Sequence, residues 1–142
     1  MDADSIARLN AMKIVVVDDE KIVLDSCERV LASEGFEVLP ATSVDDALKI
    51  LETQIPEVLL IDVKMPGRDG MSLMEEIKRT LPDLPIVVMS GYPTDETISE
   101  SVKKGAACFI AKPFTPEELI ETIRQVLSKQ GNDGGNETPD YG

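Results

Sequence analysis

Asp18 and Asp19 follow the apolar run "KIVVV", Asp62 closes "VLLI", Ser90 closes "IVVM" and Lys112 follows "CFIA". Each of these polar residues stands where a hydrophobic run stops, so all share one edge if the runs are parallel strands of a single sheet. Carboxylates a few ångströms apart repel by roughly 4 kcal/mol at an effective dielectric near 20, so a cluster of Asp18, Asp19 and Glu20 either faces water or awaits a positive partner. Three carboxylates at one edge suit a hard divalent cation, and Mg²⁺ uses one or two carboxylates together with waters and phosphate oxygens. Lys112 is then left to contact an anionic ligand, to which Ser90 can donate a hydrogen bond; a phosphoryl group fits both. Asp62, on the central run, is the candidate acceptor, because a carboxylate can attack phosphorus to give an acyl phosphate once a metal neutralises the like charges.

Positioning these groups requires an alternation of strands and helices, and the sequence carries one. Short β-branched runs alternate five times with longer amphipathic stretches. Strands are expected at Lys13 to Val17, Phe36 to Ala41, Glu57 to Asp62, Pro85 to Ser90 and Cys108 to Ala111, and helices at about 21 to 34, 44 to 54, 70 to 80, 95 to 104 and 116 to 129. Gly35 and Gly105 fall at helix C′ positions, Ser43 and Thr115 at N-caps, and Thr115 with Glu118 forms a capping box ahead of Pro116. Five βα units with right-handed crossovers give an open, doubly wound α/β sheet whose ligands bind beyond the carboxyl ends of the strands.

Composition narrows the function further. The chain has 142 residues, enough for one core, and 14 basic against 27 acidic residues give a net charge of −13. That balance disfavours nucleic acid and anionic membrane as direct partners, and no basic run exceeds a pair such as Lys103-Lys104. No leader or membrane-spanning stretch is legible, so a cytoplasmic protein is expected. Histidine is absent, which removes the triads and zinc sites built on it. Cys27 and Cys108 have no metal or redox spacing and read as small hydrophobes, and Met65, Met71, Met74 and Met89 as packing residues. Residues 1–11 form a short N-terminal extension, 12–130 the single domain, and 131–142 have the composition of a flexible tail.

"VVDDE", "LLIDVKMPGRDG", "VVMSGY" and "CFIAKPF", in this order and spacing from about Met12 to Gln130, make the chain resemble a CheY-type receiver domain of two-component response regulators. The resemblance implies a flavodoxin-like five-stranded parallel sheet of order 2-1-3-4-5 flanked by five helices. It implies that Asp62 is the phosphoacceptor, that Asp19 and Asp62 ligate Mg²⁺ (or Mn²⁺) directly, that Asp18 does so directly or through water, and that the backbone carbonyl of Lys64 completes the protein ligands. Ser90 is then the phosphoryl-sensing hydroxyl, Phe109 the switch aromatic and Lys112 the phosphoryl contact, followed by a cis Lys112-Pro113 peptide. The implied partners are a sensor histidine kinase or phosphotransfer protein upstream, and a downstream protein or an output domain beyond this chain. Phosphorylation would switch the face made by helix 4, strand 5 and helix 5. A phosphorylation-dependent dimer through that face is one option, weakened by a strand 5, "AACFIAKP", without the paired acids common in receivers that dimerise there.

Blander readings stand beside these. Asp18, Asp19 and Glu20 could cap the following helix and complement its dipole, Asp62 could open a turn, Ser90-Gly91 could be turn chemistry, and Phe109 could be plain core. None of these accounts for Lys112, a cation between apolar strand ends that needs an anionic partner. Two residues past the acceptor, Lys64 stands where, by the resemblance, access of hydrolytic water is set; Tyr92, two past Ser90, either lines the same entrance or is simply an exposed aromatic. A metal-dependent phosphatase using Asp62 is the enzyme alternative, but Lys64 replaces its usual second carboxylate and no cap domain for a substrate is legible in these 142 residues. Flavin binding on the same fold conflicts with "DDEK", which repels phosphate unless a metal intervenes.

Overall fold

Apolar residues at consecutive positions, which demand cover on both sides, build the central strands. The computed structural model describes residues 11–64, 70–91 and 94–131, and within them strands β1 (Lys13–Val17), β2 (Glu37–Ala41), β3 (Val58–Asp62), β4 (Ile86–Ser90) and β5 (Cys108–Ala111) alternate with helices α1 (Lys21–Ala32), α2 (Val44–Thr53), α3 (Gly70–Thr80), α4 (Asp95–Lys103) and α5 (Pro116–Gly131). The strands form one parallel sheet in the order β2-β1-β3-β4-β5. This is the expected fold.

The step from β1 to β2 runs one way across the sheet and every later step runs the other. Right-handed crossovers therefore put α1 on one face and α2, α3 and α4 on the opposite face. Side-chain alternation then sorts the core into two layers. Val15, Val17, Leu59, Ile61, Ile86 and Val88 pack against α2 and α3, whereas Ile14, Val16, Leu60, Val87, Met89 and Ile110 pack against α1 and α5. Each fully buried Val, Leu or Ile contributes about 1.5–3 kcal/mol of transfer free energy, so β1 and β3 anchor the molecule from both sides. Cys27 is buried and Cys108 half-buried, both free and both in the α1/α5 layer. Met74 and Met89 are core and Met71 packs against it; Met65 lies outside the described residues. No helix among the described residues is long and apolar enough to cross a membrane.

The punctuation holds where it was expected. Gly35 and Gly105 adopt φ of 94° and 101°, the left-handed conformation that ends a helix. The Ser43 hydroxyl accepts from Asp46 N at 3.1 Å, and Thr115 and Glu118 exchange bonds of 2.8 and 3.1 Å across their capping box. Several boundaries shift by one or two residues. β2 begins at Glu37 because the Phe36 N–H donates to Leu31 O, closing α1, and β4 begins after Pro85, which has no N–H to give.

Candidate functional site

The chain reverses its direction of travel across the sheet between β1 and β3, and ligand sites in such sheets lie at that crevice. The ladder runs one residue past each strand here. Asp18 N donates to Ala41 O at 3.0 Å, and Lys112 N donates to Ser90 O at 2.8 Å. Both residues therefore continue the alternation of the strands before them. Asp18 continues the face of Ile14 and Val16, Asp62 that of Val58 and Leu60, and Lys112 that of Cys108 and Ile110, so all three point to the α1/α5 side at the carboxyl edge.

Their side chains meet. Lys112 Nζ donates to Asp18 Oδ2 at 2.6 Å and to Asp62 Oδ2 at 2.9 Å, across 94 and 50 positions of sequence. The other oxygen of each aspartate is fixed by its own loop: Asp18 Oδ1 accepts from Glu20 N, and Asp62 Oδ1 from Lys64 N, each at 2.9 Å. Both carboxylates are thus clamped in one orientation, with Oδ2 presented to the ammonium. Asp18 and Asp62 are buried and Asp19 is exposed, yet each offers an oxygen within 4.8 Å of the others. Three hard oxygen donors at that spacing fit a Mg²⁺ or Mn²⁺ ion and are a poor set for zinc or copper.

Electrostatics point the same way. Burial raises the Asp18 pKa, and the bonds from Lys112 and Glu20 N do not offset it; the charge of Asp62 adds to the rise. Burial also works against the Lys112 charge, but the bonds from Asp18 and Asp62 outweigh it and raise its pKa. For the ammonium the pairing wins because one cation is shared by two buried carboxylates; the exposed Glu20 Oε1 lies 3.7 Å away. Three carboxylates meet one ammonium here, an excess of acid over base that a further cation would offset. Burial, then the Asp18 charge, pushes the Cys27 thiol up to about 11, so it is no nucleophile in the adjacent cleft of about 590 Å³.

Ser90 and Phe109 lie on the opposite face. Ser90 is buried and shares the alternation of Ile86 and Val88; Phe109, register partner of Val88, packs half-buried against the same layer. The Lys112-Pro113 peptide is cis, as the resemblance implies. Lys64 is exposed, and Tyr92 lies outside the described residues. The acids do not cap α1 from within: the Glu20 side chain makes no cap hydrogen bond and the first turn of α1 has no acid, and only Asp18 accepts from the N–H of the N-cap residue, Glu20. Sequence reasoning missed two features. One is the contact of Glu20 with Lys112, which depends on a rotamer. The other is Gly70, where a Cβ would sit 2.6 Å from Asp62 O and 2.8 Å from Val63 Cα. Any side chain there must displace the acceptor's own peptide, and the only sequence signal is a glycine closing "MPGRDG".

The chain has relatives among known proteins, in sequence and in fold. The sequence model described as response regulator receiver domain matches residues 14–124. A CheY-like response regulator receiver domain protein from Methanospirillum hungatei is 31% identical with a TM-score of 0.83, over 88% of this chain and 100% of that one. The receiver domain of NtrX from Brucella abortus is 36% identical with a TM-score of 0.77, over 81% of this chain and 98% of that one. NtrX from the same organism, in complex with ADP, is 35% identical with a TM-score of 0.81, over 85% of this chain but only 28% of the longer protein.

Proposed function

The chain belongs to the response regulator receiver domain family of two-component signalling, and from that premise we propose that it is a phosphoacceptor switch in the cytoplasm that takes a phosphoryl group on Asp62. The observation that carries this reading is the ammonium of Lys112 held between Asp18 Oδ2 and Asp62 Oδ2, with Asp19 completing a three-oxygen cluster. Asp18, Asp19 and Asp62 would hold Mg²⁺ or Mn²⁺, with the Lys64 carbonyl as a further ligand. When bound, the ion neutralises the like charges of the acids and of the incoming phosphoryl oxygens.

Asp62 Oδ2 is the attacking atom, because it is the oxygen that faces the Lys112 ammonium, while Oδ1 stays with Lys64 N in the acceptor's own loop. It forms an O–P bond as the P–N bond of a phosphohistidine, on a histidine kinase or phosphotransfer protein, breaks. The donor nitrogen keeps the electron pair. Lys112 loses one carboxylate partner as Asp62 becomes an acyl phosphate and turns to the phosphoryl oxygens. Ser90, at the end of the neighbouring strand, donates its hydroxyl to the same group. That movement occurs on the α4 face, where Phe109 packs, and so biases the surface of α4, β5 and α5 that a downstream protein, or an output segment of a longer chain, would read.

Intact-mass measurement after incubation with acetyl phosphate and Mg²⁺ tests this. One phosphoryl mass is expected on the native chain and none on Asp62→Asn or in the presence of EDTA. A label that survives in Asp62→Asn removes the acceptor assignment; one that survives chelation removes the metal.

A further inference from the structure

Among the described residues four large apolar side chains are exposed, and two of them, Met12 at 46% and Ile55 at 63%, line the same concavity. It is a groove of about 530 Å³ that also involves Leu81, Leu84 and Leu127, and its acids are Glu57 and Asp83. Every one of these residues adjoins the start of a strand or the last turns of a helix, so the groove lies at the amino edge of the sheet, opposite Asp62. An apolar concavity with an acidic rim is a contact surface for a segment that is apolar with a basic residue.

The chain itself supplies such a segment. Residues 1–10 lie outside the described residues and join the sheet through Met12, in the wall of the groove. Their sequence "MDADSIARLN" carries Ile6 and Leu9 three apart, a spacing that lays both on one side of a helical turn, with Arg8 between them. Leu9 is three residues from Met12, itself in the groove wall, and an extended chain covers at most about 10 Å in that distance, so Leu9 cannot stray far from the groove. Tethering that short holds the segment at roughly millimolar effective concentration or above.

We propose that Ser5–Asn10 folds back into this groove, with Ile6 and Leu9 against Leu84 and Leu127 and Arg8 facing Glu57 and Asp83. The segment thereby ties the end of α3, the start of β4 and the last turns of α5 together at the edge away from the acids. The tail, residues 132–142, leaves α5 at the same edge but brings Asp133, Glu137 and Asp140, whose charges repel the acidic rim. The inference does not depend on phosphotransfer.

Methyl-labelled NMR of the full chain tests it. Nuclear Overhauser cross-peaks are expected from the Ile6 and Leu9 methyls to those of Leu84 and Leu127. In Ile6→Ser/Leu9→Ser they are lost, and the Ile55, Leu84 and Leu127 resonances shift. Absence of the cross-peaks in the native chain overturns the proposal whether or not the variant folds. Cross-peaks that prove intermolecular in a sample mixing labelled and unlabelled chains would assign the groove to a second copy, and contacts from Tyr141 would assign it to the tail; either result also overturns it.

Discussion

Asp19 adds a third carboxylate to a pair that already shares one ammonium, with oxygens of all three within 4.8 Å. At an effective dielectric near 20, like charges at such a distance repel by about 3.5 kcal/mol, far less where water reaches them as it does at exposed Asp19. Without a divalent ion, Asp19→Asn should therefore stabilise the fold by roughly 1 kcal/mol, a case of function maintained against stability. Mg²⁺ should raise the thermal midpoint of the native chain by linkage and leave that of Asp19→Asn nearly unmoved. Calorimetry in EDTA and in Mg²⁺ decides this, and a variant that is less stable in EDTA, or as strongly stabilised by Mg²⁺ as the native chain, would contradict it. At this scale Asp18, Asp19, Asp62 and Lys112 were legible in sequence because each ends an apolar run, and the alternation of a strand carries direction. Gly70 was not, since its importance lies in how closely α3 approaches the Asp62 peptide.

Among the helices, α3 buries Gly70, Leu73, Met74 and Ile77, whereas α4 buries only Ser101 and leaves Val102 exposed. A helix with so little apolar surface in the core opens at low free energy, which suits it to a switch. Its C-terminal end is better held: Lys104 pairs with Glu75 of α3, and the Lys78 stem lies against Gly105. Hydrogen exchange should find α4 less protected than α1, α3 or α5. On treatment with acetyl phosphate and Mg²⁺, α4 protection should change in the native chain and not in Ser90→Ala, although that variant still takes up the phosphoryl mass. An α4 as protected as α3, or an unaltered response in Ser90→Ala, would remove the helix or the hydroxyl from the mechanism. The elements themselves were readable from period and punctuation, with Ser43, Thr115, Gly35 and Gly105 marking ends correctly. The thin burial of α4 was not, because "DETISESVK" has apolar residues at helical spacing and only the packed structure shows that Val102 faces water.

Across the whole molecule the two edges of the sheet have different characters. The carboxyl edge gathers buried charge around Lys112, and the amino edge presents an apolar groove rimmed by Glu57 and Asp83. Topology explains the first, since reversal of the chain between β1 and β3 opens the crevice into which Asp18 and Asp62 project. The alternation of strands and helices made that crevice predictable. The groove was not predictable, because it depends on where loops between elements stop. The claim beneath the proposed function is that the acids hold one divalent ion and that Lys112 moves to a phosphoryl group on Asp62. A crystal structure with Mg²⁺ and beryllofluoride measures this directly. It should show the ion on oxygens of Asp19 and Asp62, beryllium on Asp62 Oδ2, and Lys112 Nζ drawn from Asp62 toward fluoride. A divalent ion bound elsewhere, or Lys112 still bridging Asp18 and Asp62 with beryllofluoride away from Asp62, would contradict it.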